Sequence, residues 1–380
     1  MGKEEDIVFD TREFKRPIKK GSSQAMRGLV CFLFACVMLA SSFIGVLGGA
    51  WFYAKNRPAS VTTPAALQPT ERQMSTPLSL GASASAVVPV CVAAGDSYEI
   101  GSGIVVTEDG YLLTCDHLFD GMRSPTVCAT LSDGTVTPCV YVGGDDRLDL
   151  AVLKMEVRQM VCLPLDPSAS AATGQTVAAI GCRESTCAAP TVTSGVISSS
   201  GTRVSKDGEY PLRRIQTDAP VSPGCSGGAL VGADGSLLGM IQAKVVSTGV
   251  EGVAYALPVD VIVSVIDDLI RNGRLSSRVK LGMTVSYVPL VVGEATGNAA
   301  GLRIERLTSG SALASLGVSA GDVICAVNGE PLRSLDIFFD RLEAAQEEDS
   351  LLLTVVHPDG SERQVGLPVA FEKGTNHFHS

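Results

Sequence analysis

Ile215-Gln216-Thr217-Asp218-Ala219-Pro220-Val221-Ser222-Pro223-Gly224-Cys225-Ser226-Gly227-Gly228-Ala229-Leu230 is the stretch on which the reading of this chain turns. Ser226 stands among Gly224, Gly227 and Gly228. A serine nucleophile needs its hydroxyl exposed on a tight turn. It also needs neighbouring backbone N–H groups free to face a developing oxyanion, and glycines on both sides permit that backbone. A general base would have to be His117, the only histidine before residue 357. It follows the apolar run Leu112-Leu113-Thr114-Cys115-Asp116. The acid that orients an imidazole must be rigidly held and desolvated. Asp149 fits, because it leads directly into the apolar run Leu150-Ala151-Val152-Leu153. Asp145 and Asp146 are set aside, since Gly143-Gly144-Asp145-Asp146 reads as a turn.

Around these residues the chain is cut into short Val/Ile/Leu-rich runs separated by Gly, Asp and Ser. They include Gly103–Thr107, Tyr111–Thr114, Thr126–Leu131, Ala151–Met155, Thr176–Ile180, Thr193–Ser198, Ala229–Val231 and Leu237–Gln242. Short strands at regular spacing predict an all-β barrel or sandwich. One helix follows. Pro258-Val259-Asp260 opens it, Val261, Ile262, Val265, Ile266, Leu269 and Ile270 form its stripe, and Asn272-Gly273 closes it. Beyond it, strands are expected near 283–288, 302–307, 322–327 and 351–356, with helices near 311–317 and 335–346.

The whole chain has 380 residues, 45% hydrophobic and 18% charged, which excludes wholesale disorder and suggests two domains. A net charge of −10 argues against a nucleic-acid partner, which needs a basic face. Residues Leu29 to Ala54 carry no charge. As a helix they would reach about 39 Å, enough for a ~30 Å hydrocarbon core. Trp51, Phe52 and Tyr53 suit the far interface. Arg12, Lys15, Arg16, Lys19, Lys20 and Arg27 precede the run, against Lys55, Arg57 and Arg72 after it. The positive-inside bias then leaves the N-terminus in the cytoplasm and the rest in the periplasm or outside. The expected layout is a cytoplasmic tail (1–27), a transmembrane helix (28–54), a Pro/Ser/Thr/Ala linker (55–85), two domains (86–277 and 278–371) and a polar tail (372–380).

Of eleven cysteines, Cys31 and Cys36 lie in the apolar run. No C-x-x-C pair occurs and the histidines are not spaced for zinc, so no metal or other cofactor is expected. If Asp133-Gly134 is a two-residue hairpin turn, Cys128 and Cys139 face each other and could be bridged. Cys182 and Cys187 are a second local pair. Cys115 and Cys225, beside two candidate catalytic residues, invite a redox role against the plainer reading of buried thiols.

The chain order His117, Asp149, Ser226 matches the double-β-barrel serine proteases and differs from the subtilisin and α/β-hydrolase orders. The segment 215–230 resembles the nucleophile region of the HtrA/Deg family. Gly101-Ser102-Gly103, Asp109-Gly110-Tyr111, Asp149 to Lys154, Ala179-Ile180-Gly181 and Tyr255-Ala256-Leu257-Pro258 follow the same family in order. The resemblance implies a mainly β fold with two six-stranded barrels. In it, His117 takes the proton of Ser226, Asp149 orients His117, and the N–H groups of Gly224 and Ser226 form the oxyanion hole. Gln242, Ala243 and Lys244 would line the specificity pocket, with Ala254 and Tyr255 beside them, for a small apolar residue before the scissile bond. Residues 278–371 resemble a PDZ domain, an α+β module, through Gly301 to Leu307, Ser311 to Val318, Gly321-Asp322-Val323-Ile324 and Val327-Asn328-Gly329. A PDZ groove adds a peptide strand to a sheet edge and captures its C-terminal carboxylate, here at Leu281-Gly282-Met283. One anchor, one protease domain and one PDZ resemble DegS-like members. That implies polypeptide substrates, activation by C-terminal peptides, a homotrimer, and a role in envelope stress signalling or protein quality control. The alternative is a catalytically silent PDZ scaffold or holdase. Cys225 stands where the family usually has Asn or Asp, and Cys115 where it has Asn.

Overall fold

The computed structural model describes residues 80–183, 190–204, 210–242, 252–280, 282–296, 299–308, 310–346 and 349–376. All fall in one unit, Ala65–Ser380. The first six strands are β1 (Val87–Ala94), β2 (Ser97–Val105), β3 (Tyr111–Thr114), β4 (Thr126–Thr130), β5 (Val136–Asp145) and β6 (Leu150–Met155). They close a barrel in the order β1-β2-β3-β6-β5-β4. The next six are β7 (Thr176–Gly181), β8 (Thr191–Val204), β9 (Leu212–Thr217), β10 (Ala229–Gly232), β11 (Leu237–Ile241) and β12 (Ala254–Pro258). They close a second barrel, β10-β11-β12-β9-β8-β7. All these pairings are antiparallel. The double six-stranded barrel is the expected fold. Closure leaves no unpaired edge in either sheet.

The helix Val259–Asn272 follows as expected. Its residues Val259, Ile262, Ile266 and Leu269 are buried in the first core, each contributing about 1.5–3 kcal/mol. Gly273 ends it in the left-handed conformation (φ 73°), donating its N–H to Leu269 O at 3.0 Å. This helix end overturns the turn reading of Gly143-Gly144. Both glycines lie inside β5, and a Cβ on Gly143 would come within 2.4 Å of Leu269 O. The glycines let the helix terminus approach the strand, and Gly144 N–H bonds Gly273 O at 3.1 Å.

The C-terminal module is α+β. Strands β13 (Arg278–Lys280), β14 (Met283–Val288), β15 (Gly301–Leu307), β16 (Val323–Val327), β17 (Glu330–Pro331), β18 (Ser350–Val356), β19 (Glu362–Pro368) and β20 (Ala370–Glu372) fall into two sheets. The larger runs β14-β15-β16-β18-β19, with β14 at one edge, and β13 pairs with β20. A helix, Leu335–Glu343, buries Phe338, Phe339 and Leu342 in this module's own core.

Among the described residues no helix is long and apolar enough to cross a membrane. The expected tail 1–27, the expected membrane segment 28–54 and residues 55–79 of the expected linker lie outside the described residues. The last six linker residues are instead a helix, Leu80–Ser85, whose buried Ser83 donates its hydroxyl to Gly235 O at 3.3 Å. The polar tail is also structured as far as Asn376. Thr375 O accepts Asp146 N–H at 3.0 Å, and Thr375 Oγ1 donates to Asp146 Oδ2 at 2.8 Å. His377 and His379 lie outside the described residues.

No disulfide joins the eight described cysteines. The hairpin after β4 has a three-residue loop, with Leu131 N–H bonded to Thr135 O at 2.8 Å and Gly134 at φ 85°. That extra loop residue shifts the register by one. Cys139 opposes Val127, and Cys128 opposes Pro138. Cys139 is therefore buried with Val127 while Cys128 sits on the other face, opposite Cys91 of β1. The expected 128–139 bridge is excluded by that alternation. Cys187 lies outside the described residues.

Candidate active site

Strand β3 ends at Thr114, and a one-turn 3-10 helix, Asp116–Phe119, follows. Buried Leu118 and Phe119 anchor that turn and leave His117 partly open. Asp149 lies just before β6 with φ at 56°, a left-handed conformation costing a non-glycine residue about 1–3 kcal/mol. The strain is offset by what the residue binds. Its carboxylate lies 3.0 and 2.9 Å from His117 Nδ1 and also accepts His117 N–H at 2.9 Å. Gln242 braces the same turn, its Nε2 donating to Leu148 O at 2.7 Å and Asp149 O at 3.1 Å. Gln242 is fully buried, and its amide nitrogen supports the turn that carries the acid. Ala243 and Lys244 lie outside the described residues. Ala254 is buried, and Tyr255 O accepts Gln242 N–H at 2.9 Å.

Two buried groups lie behind Asp149. The Cys115 thiol donates to Ile241 O at 3.5 Å and is pushed well above the usual thiol range, first by burial and then by the charge of Asp149. Burial brings the Arg214 guanidinium down to about 10, partly offset by Asp149 and Cys115. In the sequence, nothing in Arg213-Arg214 distinguishes a buried cation from a surface one. Ligand atoms of Cys115, His117 and Asp149 lie within 4.8 Å of one another. His117 and Asp149 are bonded to each other, and Arg214 already supplies positive charge there, so the group is arranged for proton handling.

Ser226 is 3% exposed at the end of a short 3-10 turn, Pro223–Cys225. Cys225 N–H bonds Ser222 O at 2.8 Å, and Ser226 N–H bonds Pro223 O at 3.1 Å. The Cys225 sulfur caps the turn, 3.5 Å from Ser222 N and 3.4 Å from its hydroxyl. The N–H of Ser226, expected to face an oxyanion, is thus occupied by the carbonyl of Pro223. Ser222-Pro223-Gly224-Cys225 is a type I turn here. Its Pro-Gly centre is equally the signature of type II, which needs positive φ at the third residue. Passing from one to the other rotates the Pro223–Gly224 peptide by about 180° while Cys225 stays bonded to Ser222. The rotation releases the Ser226 N–H.

The turn rests on the first barrel. A Cβ on Gly227 would come within 2.1 Å of Ser102 O and 2.7 Å of Thr114 Oγ1. A Cβ on Gly101 would come within 2.6 Å of Leu118 and 2.9 Å of Ser226 O. These glycines bring the serine turn against the segment that carries His117. A second His–acid pair, His357 Nδ1 to Asp322 Oδ1 at 2.8 Å, shows that a short contact alone is not diagnostic. The other oxygen of Asp322 caps Ser319 N–H at 2.8 Å, so that pair fastens a turn.

In the C-terminal module Gly282 has φ at 69°, and its carbonyl accepts Thr308 N–H at 3.0 Å. Met283 is buried at the start of β14, and Leu281 lies outside the described residues. The helix Leu335–Glu343 is fastened to the second barrel by Arg203 of β8. Its side chain, 1% exposed, meets Asp336, Asp340 and Glu343 at 3.2, 2.5 and 2.8 Å. Burial works against the Arg203 charge, but Glu343 and Asp340 outweigh it and hold its pKa above the ordinary value. Arg203 also lies over the ring of Phe339.

The trypsin-like peptidase domain model matches residues 101–240. A "Probable periplasmic serine endoprotease DegP-like" of Marinomonas sp. (strain MWYL1) is 32% identical over 284 residues, covering 72% of this chain and 57% of its own length. The serine protease Do-like HtrA of Lactobacillus helveticus is 30% identical, covering 68% of this chain and 66% of its own. The chain thus spans between about half and two thirds of the length of these curated relatives. Among solved structures, the HtrA-type protease AlgW with a tripeptide superposes with a TM-score of 0.62 at 27% identity, over 77% of this chain and 96% of AlgW. The serine endoprotease from Yersinia pestis gives 0.57 at 25% identity, over 78% and 100%. With both barrels, the histidine–aspartate contact and the serine turn in place, the chain belongs to the HtrA family of trypsin-like serine proteases.

Proposed function

We propose that the chain is a membrane-anchored, extracytoplasmic serine endopeptidase whose oxyanion hole is switched by peptide C-termini binding the C-terminal module. The observation that carries this reading is an assembled His117–Asp149 pair beside a serine turn whose oxyanion donor is bonded internally. In the open turn, Ser226 Oγ attacks the scissile carbonyl carbon and its proton passes to His117 Nε2. Asp149 keeps the proton of Nδ1 in place and stabilises the imidazolium. The N–H groups of Gly224 and Ser226 receive the oxyanion. His117 then protonates the leaving amine, and water cleaves the acyl-enzyme by the same steps.

The C-terminal module is read as a PDZ domain. Supporting this are β14 at a sheet edge, where a peptide strand can add, and Gly282 in the left-handed conformation at the strand's start. Arg203 links the helix of this module to β8, and β8 pairs with β9, the last strand before the serine turn. A ligand acts through such a link only by binding one state better than the other. The uncharged run 29–54 and the basic residues before it support the anchor and the extracytoplasmic side. A homotrimer, and a role in envelope stress signalling or protein quality control, rest on the family resemblance.

The test is cleavage of an unfolded protein by the full chain in detergent, beside Ser226→Ala, with and without peptides ending in an apolar carboxylate. Cleavage by wild type alone, raised about 5-fold or more by peptide, is expected. No cleavage by folded wild type under any condition would favour the scaffold reading. Cleavage indifferent to saturating peptide would remove the PDZ switch.

A further inference from the structure

Ser102 was notable in the sequence only as the middle of Gly101-Ser102-Gly103, yet every polar group it has is committed at the serine turn or beside it. It is fully buried in β2. Its N–H donates to Ser226 O at 2.7 Å, and its hydroxyl donates to Gly224 O at 2.7 Å. The same hydroxyl accepts Cys182 N–H at 2.8 Å, and its carbonyl accepts the Thr114 hydroxyl at 2.7 Å. One residue of the first barrel therefore grips the nucleophile turn on both sides of Cys225 and ties it to the end of β7.

The grip falls on one side of the peptide that must rotate. Opening the turn swings the Pro223–Gly224 peptide. The next peptide, Gly224–Cys225, is the one whose carbonyl Ser102 holds. With that carbonyl fixed, the rotation is confined to Pro223 ψ and Gly224 φ, and the Gly224 N–H has a single place to arrive. We propose that Ser102 is a positioning residue for the oxyanion hole, a fixed post against which the Pro223–Gly224 peptide turns. Its hydroxyl aims the Gly224 N–H, while its N–H holds the Ser226 carbonyl whatever the state of the turn. Losing the hydroxyl leaves Gly224 O and Cys182 N–H buried without this partner and lets the second peptide follow the first. The proposal rests on the serine endopeptidase reading, and its experiment separates the two.

The experiment compares full-length wild type, Ser102→Ala and Ser102→Thr, which keeps the hydroxyl. Kinetics use a chromogenic peptide and the matching peptide aldehyde, whose adduct with Ser226 places an oxyanion in the hole. For Ser102→Ala, kcat should fall about 10- to 100-fold, a fraction of what losing an oxyanion donor costs. KM should change less than about 3-fold, aldehyde affinity should weaken in step with kcat, and Ser102→Thr should restore much of the loss. Amide hydrogen exchange over residues 222–228 reads the same post without catalysis. It should accelerate about 10-fold or more in Ser102→Ala, with the helix Val259–Asn272 unchanged. A folded Ser102→Ala with kcat within about 2-fold of wild type would overturn the proposal. So would full aldehyde affinity despite reduced kcat, or unchanged exchange at 222–228. If wild type itself has no activity, the endopeptidase reading fails, and the exchange measurement alone decides the role of Ser102. If Ser102→Thr does not fold, the aldehyde and exchange results on Ser102→Ala decide.

Discussion

His117 and Asp149 belong to the first barrel, Ser226 to the second, and the two halves of the site are held in different ways. The carboxylate of Asp149 meets both the ring and the main chain of His117, and Gln242 braces its backbone from beneath. That half has one arrangement, because moving it would break several buried bonds together. Within itself the serine turn, a single 3-10 turn, has two backbone bonds and the weak acceptor sulfur of Cys225, and Ser102 holds it from outside at Gly224 O and Ser226 O. Each such bond contributes about 1 kcal/mol net. Two states of that turn therefore lie within reach of a ligand's differential affinity, whereas two states of the dyad do not. The proposed peptide switch therefore acts on the half that is easier to rearrange.

The largest expected effect tests the rigid half. Asp149→Asn would present an amide N–H to His117 Nδ1 and favour the wrong tautomer. kcat should fall about 10⁴-fold with or without peptide. A loss seen only without peptide would show that the dyad, too, is assembled on demand. Next comes the switching half. Gly224→Ala cannot reach the positive φ of the open turn without strain, so peptide-stimulated kcat should fall about 10²- to 10³-fold with thermal stability nearly unchanged. Full stimulation in this variant would move the switch elsewhere.

A smaller effect concerns the link between module and barrel. Arg203→Ala removes the buried guanidinium shared by Asp336, Asp340 and Glu343. The ratio of peptide-stimulated to basal kcat/KM should shrink toward one, from a coupling of about 5-fold or more. An unchanged ratio would show that the signal does not pass through β8. The smallest effect is close to none. Burial pushes the Cys139 thiol up to about 12, and burial together with Asp149 pushes Cys115 well above the usual thiol range. Because only the thiolate reacts, iodoacetamide at pH 8 should modify neither in the folded chain and both after denaturation, by peptide mapping. Rapid native labelling of Cys115 would revive the idea of a redox-sensitive site at the dyad.

The features legible in the sequence alone are chemical and local. A single histidine precedes residue 357, and the glycines around Ser226 single it out, which set the candidate base and nucleophile. Strands such as Tyr111–Thr114 and Met283–Val288 and the helix closed by Gly273 were legible, because side-chain periodicity and capping act within a few residues. The tertiary structure decided what depends on distant partners. Gly143-Gly144 became strand because a helix terminus packs on it. One extra loop residue at Ser132-Asp133-Gly134 put Cys128 and Cys139 on opposite faces. Gln242 turned inward to the acid, and Ser102 reached across to Gly224 from the other barrel. Ser222-Pro223-Gly224-Cys225 is compatible in sequence with more than one turn type. Contacts from outside those four residues select between them, and those contacts are made only when the barrels close.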